Sequence, residues 1–374
     1  MLDKDRGRRE GTATSNGAES MSQEAKQWMI YGATGYTGVL TAERAVALGE
    51  RPVLAGRSED KVRPLAERLG LPWRVFGLED HAAIVAGLAG IDAALLIAGP
   101  FSATSRPFFK ACLETGTHYL DITGEMAVFE SILNRSDKAK AAGIVAMPGV
   151  GLDVVPTDCM AAMLKARLPD ATHLELAIWG LGGLSPGTAK TMVEGLAMGS
   201  AERIDGKIVP VPSGHKTRTA KFVSAERFLV SLPWGDVSTA FHTTGIPNVR
   251  TYFALKPSVV TGIRLNDLFK PLYGLKPVQR LLKWAVEQFV KGPDLDTRQS
   301  ARMEVWGEVR NAAGSVVQGR FIVPEGYTFT ADAAIACVRG VRSGAVAAGA
   351  VTPATAFGGD FVMTLPGARD LSFS

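Results

Sequence analysis

Short apolar runs alternate with helical patterns over residues 27–147, and this alternation restricts the fold more than any other feature of the chain. Runs such as QWMIYG, RPVLAGR and DAALLIAG are each followed by a segment with helical spacing, and several of those segments end at a glycine. Strand–helix–strand units of this kind form right-handed crossovers between parallel strands. The pattern therefore predicts an N-terminal α/β domain with a Rossmann-type, doubly wound parallel sheet.

The pattern changes after about residue 156, where the predicted strands become longer and alternate apolar with polar positions. HLELAIWG, ARMEVWGEVR and SVVQGRFIV are examples, and NAAG at 311–314 predicts a hairpin turn between the last two. We therefore expect a second, α+β domain with a largely antiparallel sheet. The last long helical pattern, TADAAIACVRGVRSG, is expected to pack back on the first domain.

Residues 1–21 are polar and lack the apolar stretch of a secretory signal. Their low hydrophobicity predicts a disordered tail. Translation from Met1 and translation from Met21 both fit, because the fold signal begins only near Trp28.

A glycine-rich segment, YGATGYTG, joins the first predicted strand to the first predicted helix. The first glycine permits a tight turn, the second lets the backbone approach a pyrophosphate, and the third lets helix and strand pack closely. Free N–H groups at the helix start would bind the phosphates, although a simple turn is the alternative. The predicted cofactor contacts here are Gly32, Thr34, Gly35, Tyr36, Thr37 and Gly38.

An arginine stands where NAD-dependent enzymes usually place an acidic residue. Arg57 lies in AGRSEDK, at the end of the second predicted strand and nineteen residues after Gly38. A guanidinium can bind phosphate oxygens in a bidentate manner, and Ser58 and Lys61 would add to the same pocket. The segment therefore predicts NADP(H) as the cofactor, with an ordinary solvated strand end as the alternative.

The segment LIAGPF ends the fourth predicted strand at residues 96–101. Small residues at the carboxyl end of a central strand leave room for a dinucleotide at the point where the strand order reverses. Gly99 and Pro100 are therefore further predicted cofactor contacts, and a plain turn fits the same residues.

Charge and cysteine content exclude several classes of protein. The 374 residues carry 41 basic and 37 acidic side chains, a net charge of +4 that does not favour a nucleic-acid partner. Three widely spaced cysteines and five scattered histidines predict neither a disulfide framework nor a metal site. A reducing, cytoplasmic location fits this composition.

Several motifs resemble one known family. YGATGYTG, LAGR, IAGPF, THYLDITGE and PGVGLDVVPTD follow one another as in the saccharopine dehydrogenase-like oxidoreductases. VWGEVR, PEGYTFTA and TPATAFG further resemble the branch that contains the bacterial trans-acting enoyl reductases. The resemblance covers nearly all of residues 27–363 and implies an NADP-binding Rossmann domain followed by a mixed α/β domain. It also implies reduction of either a C=N bond or a C=C bond of a lipid-like substrate.

Ionisable residues cluster where the fifth predicted strand ends. HYLDITGE brings Tyr119, Asp121 and Glu125 to the strand end beside the expected nicotinamide, where such groups can hold or protonate a substrate. These three are the candidate catalytic residues. The alternative is that Asp121 and Glu125 cap the next helix and brace the loop.

Two later segments carry candidate substrate contacts. Asp153 lies in GLDVVPTD, which in the family links the domains and faces the cleft. GGLSPGTAKT is a second glycine-rich turn that enters a helix, and Ser185 and Thr188 are its polar candidates. Simple helix capping is the alternative in both places.

One segment bears on location. Residues 256–291 contain seven Lys or Arg but only Asp267 and Glu287 as acids. Within 271–291, Val278, Leu281, Leu282, Ala285 and Phe289 fall on one helical face, with Trp284 beside it. Such a helix either rests on the anionic inner face of the plasma membrane or packs on the protein's own core. Strand pairing across a homodimer is a further option for the second domain.

The expected organisation is an NADP-binding domain at 22–156, to which residues 327–355 return, and a substrate or dimerisation domain at 157–326. The leading hypothesis is an NADP(H)-dependent reductase of lipid metabolism that acts on an activated C=C bond or a C=N bond. The rival hypothesis is a non-catalytic NADP-binding scaffold or sensor, associated with a membrane.

Overall fold

The computed structural model describes residues 27–180 and 182–374, so the predicted tail and the question of Met21 lie outside the described residues. The first half of the chain alternates strands with helices, as the sequence predicts. In chain order these are β1 (Gln27–Tyr31), α1 (Tyr36–Ala47), β2 (Val53–Gly56), α2 (Glu59–Leu69), β3 (Trp73–Val75), α3 (His81–Gly87), β4 (Ile91–Leu96), α4 (Phe101–Thr115), β5 (His118–Asp121), α5 (Met126–Leu133), α6 (Ser136–Ala141) and β6 (Val145–Met147).

The second half begins with a buried helix and contains longer strands. Its elements are α7 (Val155–Arg167), β7 (Ala171–Trp179), α8 (Pro186–Met198), β8 (Ser200–Ile204), β9 (Lys207–Val211), β10 (Thr217–Lys221), β11 (Glu226–Ser231), α9 (Asp236–Thr244), β12 (Asn248–Ala254), α10 (Val260–Asn266), α11 (Lys270–Tyr273), α12 (Lys276–Phe289), α13 (Leu295–Ser300), β13 (Arg302–Asn311), β14 (Val316–Pro324), α14 (Gly326–Arg342), β15 (Gly349–Ala350), α15 (Pro353–Phe357) and β16 (Arg369–Phe373). In the part of the chain that the structure describes, no helix is both long and apolar enough to cross a bilayer.

The first sheet has seven strands in the order β15-β6-β5-β4-β1-β2-β3, and its neighbouring strands are parallel. Strands such as β2 and β6 are buried along their whole length, because helices cover both faces. The strand order reverses between β1 and β4, and a parallel sheet opens a ligand crevice at such a reversal. The predicted doubly wound parallel sheet is confirmed.

The far C-terminal part of the chain returns to this first sheet. β15 extends the sheet beside β6, and apolar residues of α14 share a buried core with β1. Arg44 of α1 also forms an ion pair with Asp332 of α14, at 2.5 Å. The first sheet and its helices are therefore assembled from two separate parts of the sequence.

The second sheet has nine strands and is mostly antiparallel, which confirms the predicted α+β arrangement. Its main path runs β10-β11-β12-β7-β13-β14-β16, and only the β7–β12 pair on that path is parallel. The turn at 311–314 joins β13 to β14, with the Gly314 amide donating to the Asn311 carbonyl. Helix α7 covers one face, and a Cβ on Gly307 of β13 would meet the Leu164 side chain at 2.7 Å.

An ion cluster joins the two halves of the molecule. The Glu130 carboxylate of α5 lies 2.6 Å from the Arg203 guanidinium of β8 and 2.7 Å from the Ser238 hydroxyl of α9. The His242 ring lies 3.6 Å away. The His242 ring, the Ser238 hydroxyl and the Arg203 charge hold the pKa of Glu130 at about 2, below its usual value.

Glu130→Gln is expected to lower the free energy of unfolding by about 1 to 2 kcal/mol at pH 7, after allowance for solvent screening of a carboxylate that is 30% exposed. Because the pKa of Glu130 is lower in the folded state than in the unfolded state, its carboxylate stabilises the fold fully at pH values above the unfolded-state pKa. The difference in unfolding free energy between wild type and variant should therefore shrink as the pH falls from about 4.5 towards 2. Urea unfolding at several pH values measures it. Glu67→Gln is the matched control, because Glu67 pairs with Arg63 on the surface at 2.8 Å. An equal loss in both variants would contradict the prediction.

Candidate cofactor and substrate site

The glycine turn between β1 and α1 is closely packed at two of its three glycines. Gly32 has φ +87°, and a Cβ there would lie 2.8 Å from the Ala98 backbone nitrogen. A Cβ on Gly38 would lie 2.3 Å from the Gly32 carbonyl oxygen. The Gly32 amide also donates to the Ala55 carbonyl at 2.8 Å, which ties the turn to β2. β1, α1 and the loop after β4 therefore pack so closely that these two positions leave no room for a side chain.

The middle glycine is open instead. Gly35 is exposed, and the nearest atom to a Cβ there would be the Gly32 carbonyl oxygen at 3.4 Å. No side chain caps the N-terminus of α1, so its first amides are free to bind an anion. Thr34, Tyr36 and Thr37 flank this opening and are half-buried. The turn therefore fits a dinucleotide pyrophosphate.

The end of β2 offers a second anion-binding surface. Arg57 and Lys61 are exposed, and Ser58 precedes α2 without capping it through its side chain. The structure shows no side-chain hydrogen bond or ion pair between any of these three residues and the rest of the described chain. Two free cations and a hydroxyl at this strand end fit the 2′-phosphate of NADP(H).

The loop after β4 lies against the glycine turn. The Ile97 amide donates to the Tyr31 carbonyl at 2.8 Å, and a Cβ on Gly99 would meet only the Phe101 ring, at 3.7 Å. Gly99 and Pro100 therefore leave space beside the turn. The crevice between the ends of β1 and β4 is the place where the strand order reverses.

Glu125 holds the far side of this loop. Its carboxylate accepts hydrogen bonds from the amides of Phe101 and Ser102, at 2.8 and 2.7 Å, and so caps α4 from another segment. Burial raises the pKa of this carboxyl. Glu125 is thus a helix cap, as the alternative interpretation of the sequence expected. The helix that it caps is α4, which precedes it, and not the next helix.

Tyr119 and Asp121 lie on one face of β5 and contact each other, but both are fully buried. Asp121 also accepts hydrogen bonds from the amides of Thr123 and Gly149, at 3.0 and 2.9 Å. Burial raises the pKa of Asp121 to about 6, and burial also raises the pKa of Tyr119. The pair braces two loops at the crevice, and neither side chain has surface through which a substrate can reach it in this conformation.

The second half of the chain brings hydroxyl groups to the glycine turn. Ser185 caps α8 and contacts Thr188, whose hydroxyl lies 3.1 Å from the Tyr327 hydroxyl. The Ser185 amide also donates to Tyr327. The Tyr327 ring packs edge-on against the Tyr36 ring of the turn, with ring centroids 4.9 Å apart. The predicted substrate contacts Ser185 and Thr188 are thus adjacent to the predicted cofactor turn.

Tyr327 lies at this candidate site, although it is not among the residues predicted from the sequence. It lies 139 residues after Thr188, and only the return of the chain from β14 into α14 brings the two together. Its signal in the sequence is its place in PEGYTFTA, one of the motifs that carry the family resemblance.

Two further contacts cover the crevice. The Tyr36 hydroxyl donates to the Pro293 carbonyl, and the Ser102 hydroxyl of α4 donates to Glu194 of α8 at 3.2 Å. Helix α8 and the segment before α13 therefore lie over the cofactor turn and the start of α4.

Asp153 occupies a separate position, between the two halves. A Cβ on Gly124 would lie 2.8 Å from its carboxylate oxygen, so Asp153 packs against the backbone next to Glu125. Burial raises its pKa to about 6. Its carboxylate forms no hydrogen bond with the residues that the structure describes. Within residues 27–180 and 182–374, no group of His, Cys, Asp or Glu is arranged to hold a metal ion.

The sequence is similar to known NADP-binding proteins and oxidoreductases. Residues 28–147 match the family model of the saccharopine dehydrogenase NADP-binding domain. A trans-acting enoyl reductase of Mycobacterium leprae is 33% identical over 159 residues, which is 40% of this chain and 38% of that protein. A trans-acting enoyl reductase of Mycobacterium tuberculosis is 28% identical over 199 residues, 49% of this chain and 48% of that protein. The matched region thus spans less than half the length of these curated relatives.

The fold as a whole has a counterpart among solved structures. The apo saccharopine dehydrogenase (L-Glu forming) of Saccharomyces cerevisiae superposes with a TM-score of 0.61 over 94% of this chain and 100% of that chain, at 12% identity. This likeness concerns the fold alone. The prediction of NADP(H) as cofactor is confirmed by the match of the first domain. Residues 28–147 are therefore similar to a saccharopine dehydrogenase NADP-binding domain, and about half of the chain is similar in sequence to trans-acting enoyl reductases.

Proposed function

We propose that the protein is an NADP(H)-dependent oxidoreductase that reduces an activated C=C bond of a lipid-like substrate. The observation that carries this proposal is the covered crevice, where the NADP-binding turn meets hydroxyl groups of α8 and α14. The names of the curated relatives favour a C=C bond. Reduction of a C=N bond would require the same cofactor and stays the alternative substrate class.

The first domain binds and orients the cofactor in this proposal. Gly35 and the free amides of α1 hold the pyrophosphate, and Arg57 with Ser58 and Lys61 holds the 2′-phosphate. Gly99 and Pro100 leave space for the nicotinamide, which supplies the hydride when bound. Tyr36 and the cover formed by α8 exclude water from the crevice.

Reduction of a double bond also needs a proton at the neighbouring atom. The hydroxyls of Ser185, Thr188 and Tyr327 contact one another beside the glycine turn. We assign the proton delivery to this group, with Tyr327 as the member that touches the turn. Asp153 would contact the substrate from the opposite side of the crevice.

The original catalytic candidates act indirectly in this scheme. Asp121 holds the Thr123 amide, Thr123 in turn accepts a hydrogen bond from the Glu125 amide at 3.1 Å, and Glu125 caps α4. This chain of hydrogen bonds fixes the start of α4 beside Gly99. Tyr119, Asp121 and Glu125 are therefore proposed as positioning residues.

Tyr327→Phe is expected to lower kcat by about 100-fold, the usual contribution of a positioned proton donor, while NADPH affinity stays unchanged. The measurement is NADPH oxidation with an enoyl thioester, beside an imine of similar size. Tyr273→Phe is the matched control, because the Tyr273 hydroxyl bonds Asn266 away from the turn. A Tyr327→Phe protein with wild-type kcat would remove Tyr327 from the proposal.

A second candidate function is supported by one observation. Tyr119 and Asp121 are buried and Glu125 is occupied by backbone amides, which fits a non-catalytic NADP-binding scaffold or sensor. Tight NADPH binding, with no oxidation by either substrate class or by cell extracts, would favour this function over the reductase.

A further inference from the structure

One segment of the chain carries most of the exposed large apolar side chains. Ten of the 17 large hydrophobic residues that are exposed in the described chain lie between residues 259 and 295. Leu268, Leu281 and Phe289 are 74%, 63% and 80% exposed, and Trp284 is 55% exposed. We call the surface formed by residues 257–291 the basic apolar face. A folded protein seldom leaves so many large apolar groups in one place without a partner.

This exposure persists although α12 is already packed on the protein. Lys283 pairs with Glu194 of α8 at 2.5 Å, and the Gln279 amide group donates to the Val193 carbonyl at 3.0 Å. The residues on the predicted apolar face of α12 therefore differ in exposure. Val278, Leu282 and Ala285 are half-buried, whereas Leu281 and Phe289 are exposed. One side of α12 therefore packs on α8, and the opposite side remains exposed.

Positive charge surrounds the apolar groups. Residues 256–291 carry seven basic side chains and two acidic ones, and Lys276 and Arg280 make no ion pair with any residue that the structure describes. Both line a shallow cavity of about 390 Å³ together with Tyr273 and Gln279. Glu194 and Lys283 also line the cavity and pair with each other, so Lys276 and Arg280 remain uncompensated there. They lie in the same segment as the exposed apolar side chains, an arrangement that complements an anionic headgroup above acyl chains.

The shape of the surface favours a lipid partner over a peptide. The apolar groups project from several short helices, α10 to α12, and alternate with lysine and arginine along the chain. Basic amphipathic helices with an interfacial tryptophan lie in the plane of a membrane surface. We propose that the basic apolar face docks the protein on an anionic lipid bilayer. This goes beyond the proposed reaction, although α8, which supports the face, also contacts Ser102 at the crevice.

Flotation of the full chain with lipid vesicles tests the proposal. The protein should float with vesicles of phosphatidylcholine plus phosphatidylglycerol, and far less with phosphatidylcholine alone. Lys276→Glu/Arg280→Glu should lower the partition coefficient more than tenfold, since each basic residue near the surface contributes about fivefold. Leu268→Asp/Leu281→Asp should abolish flotation, because two exposed apolar contacts are lost.

Matched controls keep the test specific. Lys138→Glu/Lys140→Glu makes the same charge change on exposed positions of α6, and Val316→Asp changes an exposed apolar residue of β14. Both should float as wild type. Absence of flotation, or equal flotation with phosphatidylcholine alone, would overturn the proposal. So would a wild-type dimer in sedimentation equilibrium that Leu268→Asp/Leu281→Asp dissociates without any lipid binding, since the face would then belong to a second copy.

Discussion

Gly38→Ala is expected to lower the free energy of unfolding by about 3 kcal/mol and to remove NADPH binding. The new Cβ would lie 2.3 Å from the Gly32 carbonyl oxygen and 2.8 Å from the Ala33 carbonyl carbon. Both contacts are with backbone, so no rotation of a side chain relieves them, and the turn has to open. Urea unfolding and calorimetric titration with NADPH measure the two effects.

Gly35→Ala separates cofactor binding from stability in the same turn. Gly35 has φ −74° and ψ 164°, which suit alanine, and its Cβ would approach nothing closer than 3.4 Å. We expect stability within about 0.5 kcal/mol of wild type. NADPH affinity should still fall, because the methyl group occupies the surface that the pyrophosphate approaches. Wild-type NADPH affinity in both alanine variants would contradict the assignment of this turn.

Arg57→Ala is expected to weaken NADPH binding by about 10- to 100-fold and to leave NADH binding unchanged. A hydrogen bond to a charged group contributes about 1.5 to 3 kcal/mol, and NADH lacks the 2′-phosphate that Arg57 would bind. Arg57 forms no side-chain hydrogen bond or ion pair with the described residues, so its removal breaks no such bond of the fold. Calorimetric titration with each cofactor gives the comparison.

Arg63→Ala is the matched control for Arg57. Arg63 lies on α2 nearby, is 57% exposed and pairs with Glu67. Its loss removes one positive charge from the same region, and both cofactors should bind as in wild type. If both arginine variants weakened NADPH equally, the effect would come from general charge and the assignment of the 2′-phosphate would fail.

The first sheet could be predicted from the sequence because each of its strands, helices and turns is specified by residues that are close together in the chain. Each strand is a short apolar run, each helix has its own periodicity, and turn glycines such as Gly32 and Gly38 are required by contacts with residues close by. Parallel strands buried on both faces give the clearest pattern of this kind. The position of Arg57 also follows directly from the length of one strand–helix–strand unit.

Strands β8 to β11 were not predicted, and their composition explains why. They carry charged side chains at buried or half-buried positions, where polar residues would indicate loops. Arg218 of β10 bonds Glu308 of β13 at 2.9 Å, and Arg250 of β12 bonds Glu202 of β8 at 2.5 Å. These partners lie far apart in sequence, so the compensation that allows the strands to form is visible only in three dimensions.

The chemistry of the site was also predictable only in part. Alternation along a strand puts Tyr119 and Asp121 on one face of β5, but their complete burial depends on tertiary packing, such as that of the Tyr119 ring against Phe108 and Phe109 of α4. Tyr327 reaches the turn through a contact between segments that no local spacing links. The predicted cofactor contacts directly follow single strands, β1, β2 and β4, whereas the groups proposed to meet a substrate are assembled from both halves.

The return of β15 to the edge of the first sheet has a consequence during synthesis. Between the appearance of β6 and that of β15, the ribosome adds about 200 residues, which takes about 10 to 40 seconds at usual elongation rates. Throughout that time the nascent chain presents an unpaired strand edge at β6, and it lacks α14, which later shares a buried core with β1. A chain that ends soon after β6 would contain all of residues 28–147 and still lack its closing strand. C-terminal truncations should therefore fail by aggregation before any loss of chemistry can be measured.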